Sequence, residues 1–338
     1  MTPALPASSP PPNWVESGHP LGWLINRLLA VEPLRQLLFW QARRLIIRTA
    51  EGRGIAWRQR REQLQMAAEP LLAASTNPAA ATPAYYRARF HAYEQGNLCW
   101  AAACEAEQAT DSMALRVWPQ ESDLAPELAQ QRLRGAIFAA IEPSLSGPLQ
   151  RVLDIGCSVG VGTFALRDWL LQRQRQQPLD QPVRLQLEGL DLSPEMLAVA
   201  RVREAEWLAS TAAAATPAPI HAWHHAAAEA TGLEAGSYDL ITLQFVCHEL
   251  PQAATRAVLA EAARLLRPGG VVALVDQDPD SELIRRLPAP IATLLKSTEP
   301  YLEEYFGLDL PAALLAAGFH GVRREAVDPR HRVLVASR

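Results

Sequence analysis

From about Leu149 onward, short apolar runs alternate with amphipathic stretches in a regular order. RVLDIG (151–156), VRLQLEGLD (183–191), IHAWHHA (220–226), YDLITLQFV (238–246) and VVALVDQ (271–277) read as strands. Helical periods fill the intervals at Thr163–Gln172, Pro194–Ala209 and Ala253–Leu266. Strands that alternate with helices predict an α/β fold with a parallel, doubly wound sheet. After a helix at Leu310–Ala317, two last strands, GVRREAV (321–327) and HRVLVAS (331–337), are separated only by Asp328, Pro329 and Arg330. That link is too short for a helical crossover, so the two should pair antiparallel beside the fifth strand.

The first 148 residues have a different texture. Residues 1–13 are Pro- and Ser-rich and read as a disordered tail. Residues 14–148 read as a helical region, with helices over Leu21–Ala50 (a second one starting at Pro33), Trp57–Ala68, Tyr85–Gln108 and Leu124–Ile141. Ala73–Ala84 reads as a linker, Ser210–Pro219 as a surface insertion. The division expected is a helical cap before a domain over 149–338.

Composition narrows the classes. The chain has 338 residues, 49% hydrophobic and 20% charged, which supports a real core. A net charge of −4 gives no sign of a nucleic-acid partner. Cys99, Cys104, Cys157 and Cys247 form no CxxC pair, so neither a disulfide framework nor a bound metal is expected, and a reducing, cytoplasmic setting fits. No secretory signal opens the chain, and charged residues and Pro33 interrupt the best apolar stretch, Leu21–Trp40. Seven arginines from Arg43 to Arg61 follow that stretch, a pattern that suits either peripheral membrane contact through the N-terminal helices or packing on the core. No feature sets an oligomeric state.

The chemistry concentrates in VLDIGCSVGVGT (152–163). A strand ends in Asp154, and the small residues Gly156, Ser158 and Gly160, with Cys157 among them, lead into a helix. Such a loop turns sharply and lets a ligand approach its backbone N–H groups. In LEGLDLSPEMLAVAR, Asp191 ends the second strand, where an acid can bind a ribose diol; Ser193 is placed to cap the next helix. A dinucleotide-binding oxidoreductase is the competing reading. Against it, 37 residues (191 − 154) separate Asp154 from Asp191, where that pattern expects an acid roughly 20 residues after the loop.

These motifs resemble those of class I S-adenosylmethionine-dependent methyltransferases, in particular the quinone-biosynthesis type. The blocks HAYEQGNLCWAAACEAEQAT and LLKSTEPYLEEYFGLDLPAALLAAGF are similar to methyltransferases of photosynthetic bacteria and plastids. The resemblance implies a Rossmann-like seven-stranded sheet with an antiparallel final strand. S-adenosylmethionine is the implied cofactor, held by Asp154, Gly156, Cys157, Ser158, Gly160, Asp191, Leu192, Met196, Ala228, Glu229 and Gln244. It also implies a small-molecule acceptor, apolar or aromatic. Two positions depart from the family pattern. Ser158 replaces a glycine, which is tolerable if its backbone is not left-handed, and Ala227 stands where an adenine-binding Asp is expected, which permits an inactive methyltransferase-like scaffold. YDLITLQFVCHELPQ should bring His248 and Glu249 to the acceptor, with His248 the candidate base. Two segments should roof the site: one with Tyr85, Tyr86, His91, Tyr93, Asn97 and Trp100, and one with Lys296, Glu299, Tyr301 and Tyr305. His224 and His225 read as structural.

Overall fold

A computed structural model of the protein describes residues 20–91, 93–176, 184–210 and 219–338. The expected tail over 1–13, most of the 210–219 insertion and residues 177–183 lie outside them. The N-terminal part contains α1 (Pro20–Leu29), α2 (Glu32–Gly52), α3 (Trp57–Ala68), α4 (Leu72–Ser75), α5 (Trp100–Val117) and α6 (Pro126–Ile141). The sheet follows as β1 (Arg151–Ile155), β2 (Gln186–Asp191), β3 (Ala222–His225), β4 (Tyr238–Gln244), β5 (Leu266–Gln277), β6 (His320–Ala326) and β7 (His331–Ser337). Its helices are α7 (Val161–Gln176), α8 (Pro194–Ser210), α9 (Gln252–Leu265), α10 (Glu282–Arg285), α11 (Ala289–Thr298), α12 (Leu302–Phe306) and α13 (Leu310–Ala316).

The strand order is β3-β2-β1-β4-β5-β7-β6, with β3 through β5 parallel and β7 antiparallel to both β5 and β6. Successive strand residues point to opposite faces. Leu153, Ile155, Ile241, Leu243, Val272 and Leu274 join a core that includes residues of α9, α12 and α13. Val152, Leu240, Val271, Ala273, Val275 and Val333 join a second core with residues of α6 and α7. Burial on both faces is why these strands are continuous apolar runs. The order reverses between β1 and β4, and a crevice opens there beyond the strand ends, where open α/β sheets bind ligands.

Two sequence expectations need correction. Tyr85–Gln108 is not one helix. Only Ala84–Arg87 turn, as a 3₁₀ segment, and α5 starts at Trp100. Between them His91 (φ 51) and Gly96 (φ 58) are left-handed. A Cβ on Gly96 would lie 2.3 Å from the Ala88 carbonyl oxygen, so the bend requires glycine. Cys99 is extended and caps α5 by accepting from Ala102 N. The run Pro268–Gly270, whose residues lead one to expect a turn before the fifth strand, lies instead inside β5 at a register shift: the pairing passes from Tyr238↔Leu266 to Leu240↔Val271, with Gly269 at φ 76.

The cap is bound to the sheet domain. Helices α3, α4 and α5 pack on α8, and α1 packs on α11. Four arginines of the basic stretch are held by side chains and carbonyls: Arg60 bonds Glu206 of α8 and Glu107 of α5, while Arg43 and Arg61 pair with buried Glu105 and Arg53 donates to the carbonyls of Glu121 and Leu124, all within the N-terminal part. Among the described residues, no helix is long and apolar enough to cross a membrane.

Candidate active site

The loop after β1 is shaped by close approach. Gly156 sits at φ 70, and a Cβ there would come within 2.5 Å of Val246. The N–H groups of Gly156 and Cys157 both donate to the Leu190 carbonyl, at 2.8 and 3.0 Å, which ties the loop to the end of β2. Ser158 has φ 49 and is therefore left-handed, contrary to the condition set for a tolerated serine. Two contacts hold it there: its N–H donates to Asp191 Oδ2 at 2.8 Å, and its hydroxyl donates to Met196 Sδ at 3.3 Å. Asp191 also accepts from Ser193 N at 2.9 Å. Burial raises the Asp191 pKa to about 6, while the N–H groups of Ser193 and Ser158 restrain the rise. Ser193 caps α8 as expected, accepting from Met196 N.

Asp154 is buried at the tip of β1. It accepts from Thr242 Oγ1 at 2.6 Å, Thr163 Oγ1 at 2.7 Å and Gln244 Nε2 at 3.2 Å. Burial still lifts its pKa above the ordinary carboxylate value. Gln244 in turn accepts from Arg134 Nη1 of α6 at 2.6 Å. Arg134 is buried, and desolvation pulls its pKa down to about 10. The guanidinium, the amide and the carboxylate thus form a chain from the cap into the loop region. Sequence reasoning missed Arg134. Its signal was a charge on the same helical face as Ile137, Phe138 and Ile141.

A cavity of about 570 Å³ occupies the crevice. Two sets of residues line it: Asp154, Gly156, Cys157, Ser158, Asp191, Leu192, Met196, Ala228, Glu229 and Gln244, from the ends of β1, β2 and β4 and the segments after β1, β2 and β3, and Tyr85, Tyr86, Tyr93, His248 and Glu249, from the first roof segment and the turn after β4. The rest of the wall includes Phe39 and Ile46 of α2, Ile291, Leu294 and Leu295 of α11, and, from the second roof segment, Thr298 and Glu299. Five expected site or roof residues stand behind the wall, among them Tyr305, which is buried and donates to the Gln277 carbonyl at 2.5 Å. Gly160 is a packing position, where a Cβ would crowd Phe164 and Trp223. Trp100 packs into the cluster of α3, α5 and α8. Lys296 pairs with Glu303. Tyr301 meets the Tyr85 ring edge-on at 6.3 Å and donates to the Tyr85 carbonyl. Ala227 is buried, and its neighbour Glu229 accepts from the Tyr85 hydroxyl through Oε1. Glu229 Oε2 is buried without a hydrogen-bond partner among the described residues.

His248 lies on the 3₁₀ turn Cys247–Glu249 that follows β4. Its Nδ1 is 2.8 Å from Asp276 Oδ1, its backbone N–H donates to Asp276 Oδ2, and its Nε2 is 3.8 Å from Glu299 Oε2. Burial alone would lower its pKa. The Asp276 charge and hydrogen bond, with Glu299 and Glu249, outweigh burial and raise it to about 10. That direction favours the protonated ring, a hydrogen-bond donor, at neutral pH. Asp276 was not anticipated, because the end of VVALVDQ carries no local mark of a histidine partner. Glu249 accepts from Asn97 Nδ2 at 2.7 Å and lies 3.4 Å from His91 Nε2, joining the turn to the roof. His224 and His225 are held by Glu188, the Leu192 carbonyl and Asn77 N–H.

Residues 153–274 match the sequence model of the methyltransferase domain. An uncharacterised methyltransferase of Synechocystis sp. is 28% identical over 177 residues, which are 52% of this chain and 70% of that protein. Among solved structures, Haemonchus contortus phosphoethanolamine N-methyltransferase 2 with S-adenosyl-L-methionine is 18% identical at a TM-score of 0.44, covering 68% of this chain. The match spans only 58% of that enzyme's length. Human N-acetylserotonin methyltransferase is 13% identical at a TM-score of 0.42, with 80% of this chain and 66% of that one covered. The sheet, the loop after β1 and the family match define the class: residues 153–274 carry a class I S-adenosylmethionine-dependent methyltransferase domain. The cofactor of that class is S-adenosylmethionine.

Proposed function

We propose that the chain transfers the methyl group of S-adenosylmethionine to a small, apolar or aromatic acceptor enclosed between the sheet and the two roof segments. The observation that carries this reading is one cavity with two unlike sides, a glycine-shaped loop with paired acids on one and aromatic and aliphatic groups on the other. The residues fit the cofactor. Gly156 leaves room that a side chain would fill, Asp191 has carboxylate lone pairs for a ribose diol, and the unpartnered Glu229 Oε2 can accept from the adenine amino group in place of the missing Asp at Ala227. Bound there, the cofactor supplies an electrophilic methyl group on a positively charged sulfur. The protein's share is alignment and exclusion of water. Tyr85, Tyr86 and Tyr93 offer faces to an apolar acceptor and to positive charge. His248, held by Asp276, donates a hydrogen bond or charge toward the acceptor, and Glu249 with Asn97 positions the roof. Calorimetry with S-adenosylmethionine, S-adenosylhomocysteine and NADPH tests the reading: the first two should bind and NADPH should not. Binding of NADPH alone would replace it with the oxidoreductase reading.

Four free cysteines agree with a cytoplasmic setting. The exposed apolar residues Trp23, Leu24, Leu37, Trp40 and Leu45 on α1 and α2, near Arg44 and Arg48, favour peripheral contact with an anionic bilayer. Sedimentation with phosphatidylserine vesicles should retain the protein at low salt, and Trp23→Ser with Trp40→Ser should release it.

A further inference from the structure

His91, His248 and Glu299 come from three distant parts of the chain, yet one donor atom of each lies within 4.8 Å of the other two. Three features point to a ligand rather than to chance proximity. The Nδ1 of His248 is engaged by Asp276 at 2.8 Å, which leaves Nε2 toward the cluster; metal-bound histidines are typically oriented this way by a second carboxylate. Glu299 is 9% exposed, and its Oε2 is buried without a hydrogen-bond partner among the described residues. The His248 Nε2 stands 3.8 Å from that oxygen, beyond hydrogen-bond reach, and a cation seated between them would satisfy both. His91 is held in a left-handed conformation by donating its N–H to the Thr298 carbonyl at 2.8 Å, which joins it to the segment that carries Glu299.

We propose that His91, His248 and Glu299 form a binding site for a divalent transition-metal ion at the acceptor end of the cavity, with Glu249 as an adjacent oxygen donor. Two imidazoles and a carboxylate suit the zinc and cobalt class, whereas magnesium and calcium prefer sites made of oxygen alone. Zinc–ligand bonds of about 2.0–2.2 Å require the donors to draw closer together, which the loop positions of His91 and Glu299 allow. Binding displaces the proton from His248 Nε2, so in the metal-bound form the ion takes the place of the ring N–H as the positive group facing the acceptor. Positions not filled by protein face the cavity, where they would take an oxygen donor of the acceptor. A metal-bound hydroxyl ionises more readily, its proton passing to water. This last role rests on the methyltransferase reading; the site itself does not.

The test uses the full chain, stripped with chelator and titrated with Co²⁺ near neutral pH. One Co²⁺ per chain should bind, with visible d–d absorption that Zn²⁺ abolishes. His91→Ala and Glu299→Gln should each weaken Co²⁺ by roughly tenfold or more. The same samples, titrated with S-adenosylhomocysteine, report the cofactor site separately. No saturable Co²⁺ binding, or binding that both substitutions leave unchanged, overturns the metal site even if S-adenosylhomocysteine binds. Co²⁺ binding that the substitutions weaken, in a protein that ignores S-adenosylhomocysteine, supports the metal site and overturns the methyltransferase reading.

Discussion

The two sides of the cavity are built differently. Most of the cofactor side comes from two short contiguous stretches, 154–162 and 190–196, with Ala228 and Glu229 after β3 and Gln244 at the end of β4, and its key bonds run from the loop after β1 to the end of β2: Gly156 and Cys157 to Leu190, Ser158 to Asp191. The acceptor side takes Phe39, Tyr86, Arg134, His248 and Glu299 from five separate segments. Backbone shape, with two buried acids, dominates the first; side chains brought together from distant segments dominate the second. The difference teaches that the cofactor side can keep its form while the acceptor side varies, since hardly any residue serves both. The exceptions are Arg134 with Gln244 and Tyr85 with Glu229.

Substitutions at the two sides should therefore give different signatures. The largest effect is expected from His248→Ala, which removes a buried donor facing the acceptor: the methyl-transfer step should slow by roughly 10²–10³-fold, with cofactor affinity changed by no more than about twofold. An equal loss in both quantities would break the separation. Asp191→Ala should do the reverse, weakening S-adenosylmethionine by roughly 1.5–3 kcal/mol in calorimetry. The same residue sets a pH dependence. Burial raises its pKa to about 6, and a ribose diol donates to the ionised form. Wild-type affinity should thus be complete well above pH 6 and fall as the pH drops through it. Asp191→Ala should flatten that profile, and a profile that stays steep in the variant assigns it to another group.

Arg134→Met probes the link between the sides. It lies in the cap, yet it should weaken the cofactor by roughly 0.5–2 kcal/mol through Gln244 and Asp154; affinity unchanged within error would make the chain merely structural. The smallest effect is expected from Ser158→Gly. A left-handed non-glycine residue costs roughly 1–2 kcal/mol, partly offset by glycine's greater freedom in the unfolded chain. Thermal unfolding should show a gain of up to about 1 kcal/mol. A lower Tm would mean that the hydroxyl contact with Met196 outweighs the strain.

Legibility in the sequence follows the same divide. Strand positions, the antiparallel β7, the cap of α8 and the loop after β1 all depend on neighbours within a few residues, so periodicity and turn chemistry reveal them. The bent segment from Tyr85 to Cys99 misled because its aromatic residues resemble a helix face, while its course is decided by Gly96 and by the contact of His91 with Thr298, more than two hundred residues away. His248 and Glu249 were visible as candidates. The pairing of His248 with Asp276 is a contact between β5 and the turn after β4, and it changes the expected protonation. Trp100, Lys296 and Tyr301 have the chemistry of wall residues, but one-dimensional reading cannot tell the inner from the outer surface of a roof.

The bond from Arg134 to Gln244 carries a thermodynamic obligation. If cofactor binding settles Gln244 against Asp154, the same free energy must favour the position of α6 in which Arg134 reaches it. Linkage is reciprocal, so whatever holds α6 in place tightens the cofactor by the same factor that the cofactor holds α6. An acceptor that binds under the cap would then favour loading in a definite order, cofactor first, and would slow the escape of the spent cofactor until the methylated product has gone.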